Sequence, residues 1–317
     1  MTTGKIKATE DTWMYHMRRG EFEEAWKISD HVLQERGGKP CWELPRHFQY
    51  VWDGSSLQNK KVLIRCYHGL GDTIQFIRYT SLLKTIAREV IVWAQSPLIP
   101  LLQSMPSINS LIPLHDGTPE VKYDVDVESM ELPHIFRTTL TTIPCDIPYL
   151  HVTPAFLPID VHKLKVGLVW KPGNWDVRRS IPFKSLMTLF STSYVQFIIL
   201  QERAPEAGWQ LGYGYYPGDF PLYEYARIIK GLDLLISIDS MPAHLAAAMN
   251  VPVWNILHAD ADWRWMKDRE DSPWYPSMRL FRQQNQGDWE PVILKIKDEL
   301  SSAVKAKAPS MPGVISS

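Results

Sequence analysis

An α/β protein with two parallel-sheet domains is predicted by three observations. From Lys61 onward, short β-rich apolar runs alternate with helical patterns. Two of those runs lead through chemically distinctive loops into helices: His68-Gly-Leu-Gly-Asp72, and Ile236–Met249 with Asp239, Ser240 and His244 at its junction. A proline-rich stretch from Pro144 through Pro158 divides the alternation into two sets. Loops so far apart in sequence predict two domains facing one cleft, where a helix N-terminus holds an anionic group and an acid from the other domain acts on a substrate.

The elements follow in order. Residues 10–36 show Trp13, Met17, Phe22, Ala25, Trp26, Ile28, Val32 and Leu33 at helical spacing with a break at Gly20, a helical pair. Its RRGEFEEAW segment is like one unit of a tetratricopeptide repeat, but no second copy follows. The expected strands are KVLIRC, VIVWA, SLIPL and YDVDV, then VGLVW, VQFIIL, LLISI and PVWNIL. Runs this apolar suit parallel sheets covered by helices on both faces. Four segments result: 1–55, an N-terminal helical (TPR-like) segment; 56–155, a first Rossmann-like domain; 156–300, a second, closed by a helix near Glu290–Val304; and 301–317, a polar tail expected to be disordered.

Composition narrows the function. The chain has 317 residues, 45% apolar and 22% charged, enough for two ordinary cores. A net charge of −1 gives no general pull toward nucleic acid. No apolar run reaches the ~20 residues of a membrane span, and the first residues lack the apolar core of a signal peptide. Cys41, Cys66 and Cys145 are widely spaced with no CxxC, which reads as free thiols in a reducing compartment. A cytoplasmic location is expected.

In the first loop, Gly69 and Gly71 permit a tight strand-to-helix turn and close approach of a ligand to the backbone. A dinucleotide fingerprint would want glycine at position 74, which is Ile, and an acid ending the next strand, where Gln95 stands. NAD is therefore disfavoured. Asp72 reads as a first-turn helix acid or as a general base at the C-terminal edge of a parallel sheet; one residue can do both.

In the second loop, Ser240 and Pro242 mark a helix start whose backbone N–H groups and dipole form an anion site. His244 falls near the first turn, able to donate to a phosphate oxygen or to bond a loop carbonyl. The polar loop Trp170–Ser180 brings Lys171, Arg178 and Arg179 to the expected C-terminal edge of the second sheet, where they could neutralise a diphosphate. Gln201 and Glu202 end the next strand, and Glu202 could accept from ribose hydroxyls. The stretch Asp260–Pro276 interleaves Trp, Arg and Asp, a composition for base or sugar stacking or for a loop held by ion pairs and proline. Asp124/Asp126 and Asp260/Asp262 are both DxD, a common chance pattern, and no metal is expected.

The blocks HGLGDTIQFIRY, VGLVWKPGN…RRSIP, SIDSMPAHLAAAMNVPVW and DWRWMKDREDSPWYPSMRLFRQ, in this order from about Lys61 to Leu300, resemble glycosyltransferase family 9. They are most similar to its branch fused to tetratricopeptide repeats; the family includes ADP-heptose:lipopolysaccharide heptosyltransferases. The resemblance implies the GT-B fold, two Rossmann-like domains with the donor held mainly by the C-terminal one, no metal requirement and a C-terminal helix returning toward the N-terminal domain. It implies Asp72 as catalytic base. It places donor-phosphate contacts at Arg179, Asp239, Ser240 and His244; together with the loop readings above, the candidate donor-binding set is Gly71, Lys171, Arg179, Asp239, Ser240, Met241 and His244, with Gln201 and Glu202 toward the ribose or base. Met241 stands where heptosyltransferases carry a small residue, and Arg179 where they carry lysine.

The expected activity is inverting, metal-independent transfer of a sugar, heptose among the candidates, from a nucleotide-diphosphate donor to a glycan, lipid-linked or protein hydroxyl. Neither a bound cofactor nor a nucleic-acid partner is expected. A lipid-linked acceptor would require peripheral contact with the inner membrane face. Two alternatives stand: a non-catalytic GT-B scaffold, which should bind no nucleotide, and a GT-B sugar-nucleotide epimerase, which should need no acceptor.

Overall fold

The structure is a computed structural model describing residues 3–39, 41–157, 160, 162–173 and 176–307. Among the described residues nine strands form two all-parallel sheets. The first has the order β3-β2-β1-β4, built from β1 (Lys61–Arg65), β2 (Glu89–Ala94), β3 (Ser110–Pro113) and β4 (Val125–Glu128). The second has the order β6-β5-β7-β8-β9, built from β5 (Leu164–Val169), β6 (Val195–Ile199), β7 (Leu234–Ile238), β8 (Val253–Leu257) and β9 (Met278–Arg282). Every residue of β7 is buried, as the unbroken run LLISI requires of a central parallel strand.

All eight expected strands form. β9 was not expected: MRLFR carries two arginines in a short run, and as the last strand of the sheet it pairs with β8 on one side and meets Asp271 through a single antiparallel bridge on the other. Helices on both faces were expected of each sheet. In the first, the face carrying Leu63, Ile91 and Trp93 is covered by Ile112, Leu114, Val121 and Tyr123, from β3 and the connection after it. That connection has no amphipathic period and runs as loop.

The helices are α1 (Thr3–Arg19), α2 (Phe22–Arg36), α3 (Leu70–Phe76), α4 (Thr80–Ile86), α5 (Ile99–Leu102), α6 (Leu132–Ile135), α7 (Phe183–Leu186), α8 (Leu222–Lys230), α9 (Met241–Ala248) and α10 (Glu290–Lys307). α1 and α2 form the expected pair. Gly20 adopts φ +75 at the break, a left-handed turn that glycine makes without steric cost. α10 includes residues 301–307, which the sequence reading assigned to the tail; Ala and Lys are good helix formers and Val304 is buried. Residues 308–317 of that tail lie outside the described residues.

The chain divides into two compact units. The first comprises residues up to His151 together with Asp262–Arg269; the second comprises Val152–Ala261 and the chain from Glu270 on. The sequence reading kept 156–300 in one domain. Residues 262–269 belong to the first unit because Trp263 packs edge-on against Trp13 and Phe22, and the Lys267 N–H donates to the Arg18 carbonyl. The helical pair lies within this unit as well: the Trp26 indole donates to the Thr138 carbonyl at 2.7 Å.

Candidate functional site

In the first unit the C-terminal end of β1 turns through Cys66–Gly69 into α3. Gln95 locks this turn, donating to the His68 carbonyl at 2.6 Å and accepting from the Thr73 hydroxyl at 3.0 Å. A residue that argued against a dinucleotide site therefore shapes the loop. Asp72 stands in the first turn of α3 beside Gly71, and its Oδ2 accepts from the Gly69 N–H at 3.0 Å. The helix-capping reading is thus realised.

Two guanidinium groups also reach Asp72. Arg46 Nη2 donates to Oδ2 at 2.9 Å, and Arg264 Nη2 donates to Oδ1 at 2.5 Å. Arg264 is shared with Asp262, whose Oδ2 lies 3.2 Å from its Nη1, so the two guanidinium groups face two carboxylates. Behind the turn, Glu128 ends β4 and is fully enclosed, with His68 Nε2 3.6 Å from its Oε1. Glu128 accepts from the Ser129 hydroxyl and the Met130 N–H. Burial, and then the neighbouring Glu131, push the Glu128 carboxyl up to about 8. Glu131, which accepts from the backbone N–H groups of Glu128, Val51 and Trp52, is pushed by burial up to about 7. Burial, and then Arg46, lower His68 to about 4, so its ring is neutral at pH 7.

The second unit gathers its polar groups along the C-terminal edge of its own sheet, where open α/β sheets bind ligands. After β5, Gln201 Oε1 accepts from the backbone N–H groups of Trp170 and Lys171, at 3.1 and 2.8 Å. The amide expected near ribose or base therefore ties down the loop that carries Lys171, whose side chain is exposed. Asn174 and Trp175 lie outside the described residues. Arg178 turns back on Asp176 with Nη2 at 2.8 Å, and this bond is the chief cause that lowers Asp176 to about 2. Arg179 does something different: its Nη1 donates to the Asp239 carbonyl at 3.0 Å and lies 3.5 Å from that residue's carboxylate.

Ser240 is the N-cap residue of α9 in extended conformation, and its hydroxyl donates to the Ile238 carbonyl. Met241 is the first helical residue. His244, one turn into α9, is buried; its Nδ1 lies 3.0 Å from the Tyr275 hydroxyl and its Nε2 4.0 Å from Asp239 Oδ1. One partner of its ring is thus the Tyr275 hydroxyl. Arg179, Asp239 and His244 are brought together, with Ser240 and Met241 at the same helix start. Glu202 is exposed and joins no part of this assembly.

The DxD pairs are otherwise engaged. Asp124, which lies just before β4 and not in it, accepts from the Lys61 N–H and Arg88; Asp126 accepts from Arg65. Asp260 pairs with Arg178, while Asp262 caps the turn that holds Arg264. Among the described residues no three or more His, Cys, Asp or Glu are grouped as metal ligands would be. Trp263, Trp265 and Trp274 of the aromatic stretch are buried, which removes them as stacking platforms for a base or sugar.

Arg46, Glu128, Tyr275, His258 and Asp176 were not singled out from sequence. Arg46 lies in an irregular segment with no motif, and Tyr275 reaches His244 across 31 positions. His258, buried at the end of β8 with Nε2 3.7 Å from Asp176, had one usable signal: it directly follows an expected strand.

No family model matches the chain. Solved structures share its fold. A family 9 glycosyl transferase from Veillonella parvula superposes with TM-score 0.55 at 12% identity, covering 80% of this chain and 98% of that one. The ADP-heptose LPS heptosyltransferase II of Escherichia coli gives 0.54 at 15%, covering 78% and 99%. TibC of E. coli, a dodecameric iron-containing heptosyltransferase in complex with ADP-D-β-D-heptose, gives 0.52 at 13%, covering 80% and 77%. Among curated proteins, FlbA of Caulobacter vibrioides is 24% identical over 288 residues, 78% of this chain. The chain spans about half the length of that relative, 48%. Two parallel-sheet α/β domains with an N-terminal helical pair, on the GT-B fold of family 9 glycosyltransferases, are therefore the architecture of this protein.

Proposed function

We propose that this protein is an inverting, metal-independent glycosyltransferase that moves a sugar from a nucleoside-diphosphate donor to an acceptor hydroxyl. The observation that carries the reading is the Arg179–Asp239–His244 assembly at the start of α9, on a fold shared with family 9 glycosyltransferases. Asp72 removes the proton from the acceptor hydroxyl. The acceptor oxygen then bonds to the anomeric carbon from the face opposite the donor phosphate. The bond between that carbon and the phosphate oxygen breaks, and the nucleoside diphosphate leaves.

Arg179, Lys171, His244 and the N-terminus of α9 stabilise charge growing on the leaving phosphate, without a metal. The engagement of all four DxD acids with lysine or arginine groups supports that economy. Ser240 and Met241 border the donor sugar; Gly71 lets the donor approach the backbone beside Asp72. An ADP-linked sugar is the first donor to test, because two of the similar solved structures are described with ADP-heptose. The acceptor is a glycan, lipid-linked or protein hydroxyl. Among the described residues no helix is long and apolar enough to cross a membrane.

The test is a calorimetric titration with ADP, GDP, UDP, CDP and NAD, with and without EDTA. Micromolar binding of one nucleoside diphosphate, unchanged by EDTA, is expected. Loss of binding in EDTA overturns metal independence, and silence across the panel replaces the enzyme with a scaffold. Conversion of the donor sugar without acceptor replaces the transferase with an epimerase.

A further inference from the structure

We infer that Arg264 is the positioning residue of Asp72, delivered by the segment Asp262–Arg269 and held in place by the N-terminal helical pair. The inference rests on the general-base reading of Asp72 given above. A carboxylate that must take a proton from one hydroxyl needs a fixed orientation, because a displacement of about 1 Å can cost ~10² in rate. Gly69 and Arg46 both bond Oδ2 of Asp72, whereas Arg264 bonds Oδ1. Arg264 therefore acts on the opposite oxygen from those two and restrains rotation of the carboxylate plane about the anchored Oδ2.

Arg264 is itself over-determined. Its side chain is only 8% exposed, Asp262 Oδ2 lies 3.2 Å from Nη1, and Asp262 Oδ1 accepts from the Arg264 N–H. The guanidinium lies over the rings of Phe76 and Trp263, each 5.5 Å from the centroid. Phe76 sits one turn beyond Asp72 on α3, and Trp263 stacks on it with planes 21° apart. Trp263 in turn meets Trp13 of α1 and Phe22 of α2 edge-on. A chain of contacts thus runs from the helical pair through Trp263 to Arg264 and Asp72, all inside one compact unit.

Stability alone does not account for this arrangement. A buried ion pair often gains nothing over well-packed apolar residues of the same volume, since desolvation offsets the attraction. Here an arginine and an aspartate are kept together amid aromatic rings that could pack against an apolar pair equally well. A need for the carboxylate itself, held still, does account for it.

The experiment is a double-mutant cycle in the full chain, with Asp72→Asn, Arg264→Gln, Arg264→Lys and the combinations with Asp72→Asn. Turnover and nucleoside-diphosphate affinity are read for each. Arg264→Gln is expected to lower kcat about 10–100-fold with KM for the donor and the nucleotide Kd unchanged. Arg264→Lys should recover part of that loss. In the Asp72→Asn background, Arg264→Gln should cost nothing further, since a residue acting through another has no effect once its target is gone.

A full additional loss in that background, an unchanged kcat in Arg264→Gln, or no recovery by lysine would each overturn the assignment. If Arg264→Gln fails to fold, Arg264→Lys carries the cycle in its place, judged by the same non-additivity. Retention of full turnover by Asp72→Asn would instead overturn the general-base reading, an outcome distinct from additivity at Arg264.

Discussion

His244 Nδ1 lies 3.0 Å from the hydroxyl of Tyr275, and both side chains are buried. The tyrosine fixes the imidazole in a chosen plane one turn into α9, so that Nε2 is oriented by contact rather than by chance. Tyr275→Phe removes one neutral hydrogen bond and little volume. It is expected to weaken nucleoside-diphosphate binding about 2–10-fold, equivalent to roughly 0.5–1.5 kcal/mol. An unchanged dissociation constant would detach His244 from the donor phosphates.

Asp72→Asn keeps the shape of the side chain and loses its basicity. Turnover should fall about 10²–10⁴-fold, while the nucleotide dissociation constant stays the same. Steady-state kinetics beside calorimetry separate the two quantities. Wild-type turnover in this variant would remove Asp72 from the chemistry.

Arg179 is joined to the carbonyl and carboxylate of Asp239. Its charge is assigned to the donor phosphates, where a charged hydrogen bond contributes about 1.5–3 kcal/mol. Arg179→Ala should therefore weaken nucleoside-diphosphate binding about 10–100-fold. Arg178→Ala should leave it nearly unchanged, because Arg178 is half exposed and turned onto Asp176. Equal losses in the two variants would contradict the distinction.

Glu128 and Glu131 set a pH dependence of stability. Both carboxyls are raised by burial, to about 8 and about 7. In the unfolded chain they titrate near the ordinary ~4.3. The folded state therefore binds more protons between those values, and stability present at the acid end is lost as pH rises through the folded values. His68 and His47, each lowered by burial to about 4, work the other way up to their ordinary ~6.5, so the thermal midpoint is expected to fall between about pH 6.5 and pH 8, with a shallower fall in Glu128→Gln. Asp176, lowered to about 2, works the other way and below this window. Parallel wild-type and Glu128→Gln curves would refute the assignment.

Trp263 is buried among Trp13, Phe22 and Phe76. Trp263→Ala leaves a cavity there and should cost about 3–5 kcal/mol. Urea unfolding followed by circular dichroism measures it; a loss below about 1 kcal/mol would show that the segment 262–269 is not anchored by its tryptophan.

What the amino-acid order determined by itself was the class of fold and the two helix-opening loops. Unbroken apolar runs such as LLISI and VIVWA have few ways to be buried except in parallel sheets, and Gly69, Gly71, Ser240 and Pro242 act on their immediate neighbours. Local chemistry of that kind is legible along a line. The edge strand β9 was not, since the short run MRLFR carries two arginines and leaves little apolar signal. Only the tertiary structure decided the company of the candidate residues: Arg46 and Arg264 on Asp72, Tyr275 on His244, and Gln201 on the backbone of its neighbouring loop. Those pairs join positions 26, 192, 31 and 30 apart. Their contacts depend on how sheets and helices pack in three dimensions, and side-chain periodicity carries no record of such distant partners.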